Sequence, residues 1–270
     1  MAETHQKRVV LVANEKGGVG KSVFTRTLVD WLRQNNHRVA AFDADGSIGA
    51  TVRVLGMRDK TGALAAKQDP AQGVGFYNGR TEGERNLLLD AVVSEEPLYI
   101  HDLAGGLLAD LTRIVDDGDG LTGLLDAFEK YAYRPSIFHV MSPDSGSTQS
   151  VNRWLDLTED RADHVAVLNL KHGRPPNDFP FWFGFNDRAG KEKGGKTRER
   201  LLAGGGLEIE FPALQSGAFA KLDAENIRFS LAETAGLLTI TEQAHVARFW
   251  RDFGAVIAPA LPFLGVEPAE

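Results

Sequence analysis

Short apolar runs alternate with longer amphipathic segments along most of the chain. Five runs have the length and composition of buried strands, and they cover residues 9–13, 38–42, 98–101, 137–141 and 165–170. Between them, apolar residues recur at helical spacing, most clearly over 21–34, 121–131 and 151–157. Apolar strands that alternate with helices predict an α/β fold, a mostly parallel twisted sheet with helices on both faces.

The segment 171–206 breaks this alternation. It contains five aromatic residues, a basic run and three consecutive glycines, so we predict an insertion or long functional loop within one domain that spans 1–270. The aromatic residues form either a satellite core under the basic run or a docking surface; they are Phe179, Phe181, Trp182, Phe183 and Phe185. Residues 207–211 should return to the sheet, 216–258 should be mostly helical, and the proline-containing tail 259–270 should be irregular.

Composition narrows the classes of function. The 270 residues include no cysteine, which excludes disulfides, thiolate metal sites, iron–sulfur clusters and cysteine nucleophiles. The net charge of −7 argues against a chain coated in nucleic acid, although a local basic patch can still bind DNA. Because no secretory signal and no apolar run of about 20 residues is present, we expect a cytoplasmic protein without an integral membrane segment.

Polar motifs follow the predicted strands, where α/β sheets bind ligands. After the first strand the chain reads Glu-Lys-Gly-Gly-Val-Gly-Lys-Ser over 15–22 and then becomes helical. Glycines let consecutive amide groups turn toward a phosphate, the lysine supplies positive charge, and the serine hydroxyl can bind Mg²⁺. The sequence therefore predicts an ATP and Mg²⁺ site whose nucleotide-binding residues in this loop are Gly17, Gly18, Val19, Gly20, Lys21, Ser22 and Val23.

The same loop resembles one family closely. Glu15 replaces the first glycine of the general P-loop pattern and Lys16 adds a second lysine, so the string Lys-Gly-Gly-Val-Gly-Lys-Ser is similar to the deviant Walker A motif of the ParA/MinD ATPases. The resemblance implies an ATPase that forms a homodimer when it binds ATP. It further implies that Lys16 reaches the partner's nucleotide across the dimer interface, so that Lys16 and Lys21 both contribute to hydrolysis.

Further blocks of the chain match the pattern of that family. Asp43-Ala44-Asp45 resembles its switch I motif, which assigns Asp45 to orienting the attacking water and Asp43 to the metal shell, although Gly46 stands where the family often has proline. Asp102 resembles the Walker B aspartate that holds Mg²⁺ through a water, with Ala104 in place of the usual proline. By the same resemblance, Asn169 contacts adenine and Pro212 packs beside the base.

The family's roles leave three functions open. The first is partitioning or positioning of DNA or another cargo, with hydrolysis stimulated by a partner and the protein in the cytoplasm or on the nucleoid. The second is an accessory ATPase of a conjugative transfer, secretion or polysaccharide apparatus that acts through protein partners; the third is a P-loop metabolic synthetase. Candidate DNA contacts form two sets, Lys191, Lys193, Lys196, Arg198 and Arg200 in the first, and Lys221, Arg228, Arg248 and Arg251 in the second.

Overall fold

The computed structural model describes residues 7–46 and 49–267. Its centre is a seven-stranded sheet with the order β3-β2-β4-β1-β5-β6-β9, in which every pairing is parallel. The strands of this sheet are β1 (Lys7–Ala13), β2 (Ala40–Asp43), β3 (Gly75–Phe76), β4 (Leu98–Asp102), β5 (Tyr133–Met141), β6 (Asp163–Asn169) and β9 (Leu207–Phe211). A separate antiparallel pair consists of β7 (Phe185–Asn186) and β8 (Glu192–Lys193).

Helices cover both faces of the large sheet. They are α1 (Lys21–Gln34), α2 (Ala50–Leu55), α3 (Glu82–Arg85), α4 (Leu87–Asp90), α5 (Leu108–Leu111), α6 (Thr122–Lys130), α7 (Ser145–Thr158), α8 (Pro180–Phe183), α9 (Lys196–Ala203), α10 (Ser216–Ala224) and α11 (Ile240–Ile257). Short 3-10 helices occupy Ala91–Ser94, Phe229–Leu231 and Ala258–Leu264.

The central strand β1 shows why the sheet is buried on both sides. Val10 and Val12 pack into a core that also contains side chains of α1, α10 and α11. Val9 and Leu11 point the other way, into a core shared with α4, α5, α6 and α7. Because successive side chains of a strand alternate between faces, a strand between two helical layers must be apolar throughout. The predicted α/β class with a parallel sheet is confirmed.

The segment between β6 and β9 contains α8, β7, β8 and α9. Phe179 and Trp182 are each 1% exposed and belong to a third apolar cluster with residues of β5, β6, α7 and α9. The Trp182 indole Nε1 donates a hydrogen bond to a Glu208 carboxylate oxygen at 2.5 Å. For these two residues the structure therefore shows the satellite core, while Phe185 is partly exposed on the small antiparallel pair.

The prediction of an irregular tail is wrong for residues 259–264. Ala258–Leu264 forms a 3-10 helix, and Ala260, Leu261 and Leu264 are buried in the core beneath α11. Pro259 is tolerated because the first residues of a helix have no internal acceptor for their N–H groups. Apolar burial thus outweighs the helix-breaking tendency of proline here, and residues 268–270 lie outside the described part of the chain.

The edge strand β3 is absent from the sequence prediction because two residues give no periodic signal. Within the two described ranges, 7–46 and 49–267, no helix has the length and apolar content needed to cross a membrane.

Candidate functional site

The loop between β1 and α1 is anchored at its start by Asn14. The Asn14 amide donates hydrogen bonds to the Val140 carbonyl (2.9 Å) and to Ser147 Oγ (2.7 Å), and its oxygen accepts one from the Lys16 N–H (2.9 Å). Gly18 and Gly20 have φ values of 77° and 100°, which only glycine adopts without strain. The loop then opens directly into α1, whose N-terminal end favours a bound anion.

Lys21 is the buried cation of this loop. Its Nζ donates hydrogen bonds to the carbonyls of Asn14 and Lys16, both at 3.1 Å, and the residue is 7% exposed. Burial lowers the pKa of Lys21, and the carboxylates of Asp102, Glu15 and Asp45 oppose that shift. A phosphate group would add negative charge beside this lysine, which is the arrangement that the loop motif predicts.

Lys16 has the opposite environment. Its side chain is 49% exposed, and Nζ lies 2.8 Å from Asp144 Oδ2. Asp144 also caps α7 by accepting the Ser147 N–H at 3.1 Å, so this carboxylate has a fixed position. The two lysines of the loop therefore point to different places, Lys21 beneath the loop and Lys16 along its outer edge.

Asp43 and Asp102 stand side by side, because their Cα atoms are direct partners in the parallel β2–β4 pairing. The carboxylate of Asp43 is fully buried and accepts backbone N–H groups from Asp45 (3.1 Å), Thr51 (2.8 Å) and Val52 (3.1 Å). These contacts tie the start of α2 to the sheet and favour a structural role for Asp43 over the predicted metal-shell role. Burial and the neighbouring Asp102 raise the pKa of Asp43 to about 7.

Asp102 has the features expected of a carboxylate that would hold a metal ion. Oδ2 accepts a hydrogen bond from Thr51 Oγ1 at 2.6 Å, whereas Oδ1 is buried without a hydrogen-bond partner in the described part of the protein. Burial raises the pKa of Asp102, and the nearby hydroxyl groups of Thr51 and Ser22 and the charge of Lys21 oppose that shift. A buried carboxylate oxygen without a donor, next to a serine hydroxyl, fits Mg²⁺, which prefers oxygen ligands and retains several waters.

No group of three or more His, Asp or Glu side chains among residues 7–46 and 49–267 could hold a metal by itself. A magnesium site here would therefore draw its remaining ligands from phosphate and water, as Mg²⁺ commonly does.

A cavity of about 540 Å³ extends from the loop along the carboxyl ends of the strands. This volume lies within the range of small-molecule sites. The predicted site residues that line it are Gly17, Gly18, Gly20, Lys21, Ser22, Val23, Asp45, Asn169 and Pro212. The other predicted residues lie around it: Val19 is buried in the loop, Asp43 and Asp102 lie at the ends of β2 and β4, and Lys16 borders a neighbouring depression. Phe211, Phe219 and Phe249 also line the cavity and add an apolar surface suited to a base.

Asn169 connects the end of β6 to the glycine loop. Its amide Nδ2 donates to the Val19 carbonyl at 2.8 Å, and its Oδ1 accepts the Lys171 N–H at 3.1 Å. A Cβ added at Gly20 would lie only 2.4 Å from this amide, so the third glycine of the loop is required by Asn169 as well as by its φ. Contact of Asn169 with a base stays a prediction, while its support of the loop is a feature of the structure.

Asp45 lines the cavity. The residue after it, Gly46, packs closely against Asn78, which leaves no room for a side chain. A Cβ added at Gly46 would lie 2.4 Å from Asn78 Cβ and 2.8 Å from Asn78 Cα. Proline, which the family often has at this position, would therefore collide with the segment after β3. Glycine at position 46 is what allows the segment after β3 to approach this closely.

Two residues of the site escaped the sequence interpretation. Thr51 hydrogen-bonds Asp102 but lies in a helix without any motif, so no signal could have identified it. Asp144 follows the strand 137–141 and precedes a helical pattern, which is a recognisable N-cap signal. That signal does not show that the same carboxylate contacts Lys16.

The comparisons with known proteins agree with this geometry. The family model "CobQ/CobB/MinD/ParA nucleotide binding domain" matches residues 10–241. The chain belongs to this family. Its resemblance to the ParA/MinD proteins is thereby confirmed. The cavity lies at the carboxyl ends of the strands, where open α/β sheets in general bind their ligands.

Two solved structures show how far the shared fold extends. MinD, the septum site-determining protein of Pyrococcus horikoshii, solved with Mg-ADP, has a TM-score of 0.51 and 13% identity, over 91% of this chain and 95% of that chain. A variant of McdA from Cyanothece, solved with ATP, has a TM-score of 0.51 and 10% identity, over 98% of this chain and 99% of that chain. Similarity at this level establishes the fold alone, and no curated protein sequence matches the chain.

Proposed function

We propose that this protein is an ATP-dependent dimerising switch of the ParA/MinD type, which hydrolyses ATP to ADP and phosphate and positions a cargo. The MinD and McdA structures described above hold Mg-ADP and ATP, and the cavity of this chain has the residues for the same ligands. Dimerisation on ATP, stimulation by a partner and residence in the cytoplasm or on the nucleoid are parts of this proposal.

The proposed chemistry follows from the positions of the side chains. The amides of the glycine loop and the ammonium group of Lys21 bind the phosphates. Ser22 and Asp102 would hold Mg²⁺, which would neutralise phosphate charge when bound. Asp45 orients a water whose oxygen forms the new bond to the γ-phosphorus, while the bond from that phosphorus to the bridging oxygen of ADP breaks. The water proton passes to a phosphate oxygen or to solvent.

Lys16 carries the dimer part of the proposal. A lysine that served only its own nucleotide would lie inside the cavity, as Lys21 does, but Lys16 lies at the outer edge of the loop with half of its side chain exposed. The ion pair that holds it to Asp144 is partly exposed, and pairs of this kind are worth only about 0–1 kcal/mol. Its ammonium group can therefore leave Asp144 for a phosphate of a second protomer at small cost.

The test compares the two lysines. Light scattering after gel filtration, with ATP or a non-hydrolysable analogue, should show a dimer for the wild-type chain and for Lys130→Ala, a matched change of an exposed lysine on α6. Lys16→Ala should bind ADP normally and stay monomeric, whereas Lys21→Ala should lose nucleotide binding. A Lys16→Ala protein that dimerises like the wild type would exclude the trans role of Lys16.

The surroundings of the candidate DNA contacts favour a switch that acts on protein partners over one that acts on DNA. Six of the nine basic residues proposed as DNA contacts lie within 4.0 Å of a carboxylate, and Arg248 and Arg251 share the same one, Asp252. These carboxylates reduce the local net positive charge around Lys193, Arg198, Arg200, Lys221, Arg248 and Arg251. Arg228 is directed inward and donates to the Leu55 carbonyl. We therefore infer that the accessory-ATPase function is a serious second candidate.

DNA binding can be measured directly by fluorescence anisotropy with a labelled duplex at several salt concentrations. A DNA-acting switch should bind only with ATP, and the logarithm of its affinity should fall linearly with the logarithm of salt concentration. Lys191→Ala combined with Lys196→Ala should reduce that slope. Absence of binding at low salt, in a protein that still dimerises with ATP, would favour the protein-directed function.

A further inference from the structure

The segment after β3 lies against the chain that follows β2 and against the loop that follows β4. The Tyr77 N–H donates to the Asp43 carbonyl at 3.0 Å and the Gly79 N–H to the Ala44 carbonyl at 3.1 Å, so this backbone continues alongside the end of β2. A Cβ added at Gly79 would lie 2.6 Å from a Leu107 methyl carbon. The absence of a side chain at Gly79 thus lets the segment approach the loop that follows β4.

Arg80 extends from this segment to the loop after Asp102. Its guanidinium Nη2 donates a hydrogen bond to the Gly105 carbonyl, and Nη1 lies 3.9 Å from Asp110 Oδ2. The backbone N–H of Arg80 is itself fixed by Asn78 Oδ1 at 3.1 Å. Both the base and the tip of this side chain therefore have defined positions, although 55% of the side chain is exposed.

On its other side, the same loop contacts the phosphate-binding loop. A Cβ added at Gly105 would lie 3.2 Å from the Gly17 nitrogen and 3.4 Å from the Glu15 carbonyl oxygen. The Leu108 N–H donates to Glu15 Oε1 at 3.3 Å. Gly105 is thus held between the phosphate-binding loop and the guanidinium of Arg80.

We propose that Arg80 is a positioning residue that holds the Gly105 backbone against the phosphate-binding loop, ready to contact the terminal phosphate of ATP. The inference rests on the proposed function, because only a terminal phosphate distinguishes ATP from ADP at this point. A backbone that is already in place binds that phosphate with less ordering cost than a mobile one. ADP, which lacks the terminal phosphate, gains nothing from the arrangement.

Three variants test the proposal. Arg80→Ala removes the hydrogen bond, and Arg80→Lys retains one cationic donor in place of the planar fork. Arg113→Ala is the matched control, because Arg113 is 60% exposed and lies 4.0 Å from the same Asp110 without the contact to Gly105 that Arg80 makes. Thermal unfolding of all three should match the wild type, which keeps global stability out of the comparison.

The first readout needs no nucleotide. Hydrogen–deuterium exchange of the peptide 103–112 should be faster in Arg80→Ala than in the wild type and in Arg113→Ala. This measurement examines the contact between Arg80 and Gly105 even if the chain does not hydrolyse ATP. Failure of the proposed function and failure of this inference can therefore be distinguished. Equal exchange in Arg80→Ala and the wild type would contradict the proposal that Arg80 holds the Gly105 backbone in place.

The second readout is the steady-state hydrolysis of ATP. Arg80→Ala should lower kcat about 10- to 100-fold, the loss expected when a contacting group is misplaced, while ADP affinity stays within about twofold of the wild-type value. Arg80→Lys should recover part of kcat, and Arg113→Ala should behave like the wild type. Unchanged kcat in Arg80→Ala, or equal losses of ATP and ADP affinity, would overturn the positioning role.

Discussion

Lys16 Nζ lies 2.8 Å from Asp144 Oδ2, so the second lysine of the phosphate-binding loop is paired with a carboxylate of its own chain. The hydrogen bond from Lys16, together with that from Ser142, lowers the pKa of Asp144 against the effect of its burial. Asp144 is therefore ionised at neutral pH, and in the proposed dimer it would compete for Lys16 with a phosphate of the second protomer.

Replacing Asp144 by asparagine should strengthen ATP-dependent dimerisation. Asparagine caps helices as well as aspartate does, so the change removes the charge and leaves α7 intact. If each freed lysine recovers about 0.2–1 kcal/mol, the two lysines of a dimer should tighten association about 2- to 30-fold. Analytical ultracentrifugation with a non-hydrolysable ATP analogue measures this constant.

Asp144→Ala is the informative control for that experiment. It frees Lys16 in the same way but removes the cap, which should cost about 1 kcal/mol of stability. Tighter association in both variants would assign the effect to Lys16. Weaker association in Asp144→Asn would show that the carboxylate helps the dimer and does not compete with it.

Asn169→Ala should destabilise the protein as well as weaken nucleotide binding. The change leaves the buried Val19 carbonyl without its donor, which costs about 1–3 kcal/mol. Thermal unfolding without nucleotide and titration with ADP measure the two effects. If Asn169 acted only on the base, stability would stay at the wild-type value and only the preference for adenine nucleotides would change.

Much of this fold and site is predictable from local pattern. Helix α1 and strand β9 have the predicted bounds, Lys21–Gln34 and Leu207–Phe211. Amphipathic spacing defines the helix, and apolar residues that alternate with glutamates define the strand. The starts of β5 and α7 lie earlier than predicted. Tyr133 begins β5 in a stretch that includes polar side chains, and α7 begins after the Asp144 cap with residues that are small and polar.

The remaining features depend on contacts between distant parts of the chain. The sequence motif places Asp43 directly after a strand. Only the structure shows that the backbone N–H groups of Thr51 and Val52 donate hydrogen bonds to its Oδ2. The carboxylates that pair with the candidate DNA-binding residues include Asp156 and Glu208, which lie on other elements than their partners. The sequence identifies the charged residues. Which of them pair across long stretches of the chain is decided by how the helices pack against the sheet.

Gly46→Ala should disturb the contact between the Asp43–Asp45 turn and the segment after β3. The added Cβ would lie less than 3 Å from both side-chain and backbone atoms of Asn78, so one of the two segments must move. Overpacking of this kind costs about 1–3 kcal/mol. Gly83→Ala is a matched control, since a Cβ there meets no atom within 4 Å, and its thermal midpoint should be unchanged or slightly raised. Equal midpoints for Gly46→Ala and the wild type would contradict the predicted collision.

Asp102→Asn should stabilise the nucleotide-free protein while abolishing hydrolysis. Burial raises the pKa of Asp102 in the folded state, so the folded protein holds its proton more tightly than the unfolded chain does. Stability therefore falls as the pH rises above the ordinary carboxyl pKa of about 4, and the loss is complete only above the raised folded value. Asparagine does not ionise, so the variant would not lose stability in this way as the pH rises. The neighbouring Asp43 would also no longer face a second negative charge.

The expected result is a thermal midpoint for Asp102→Asn about 2–4 °C above the wild type at pH 7.5, with a smaller difference at pH 5. Mg-ADP should reduce the difference at pH 7.5, because a bound cation offsets the charge of the wild-type carboxylate. Differential scanning calorimetry at both pH values provides the measurement. A wild type that is the more stable protein at pH 7.5 would mean that the pairing of Asp102 with Lys21 and Thr51 outweighs the cost of its burial.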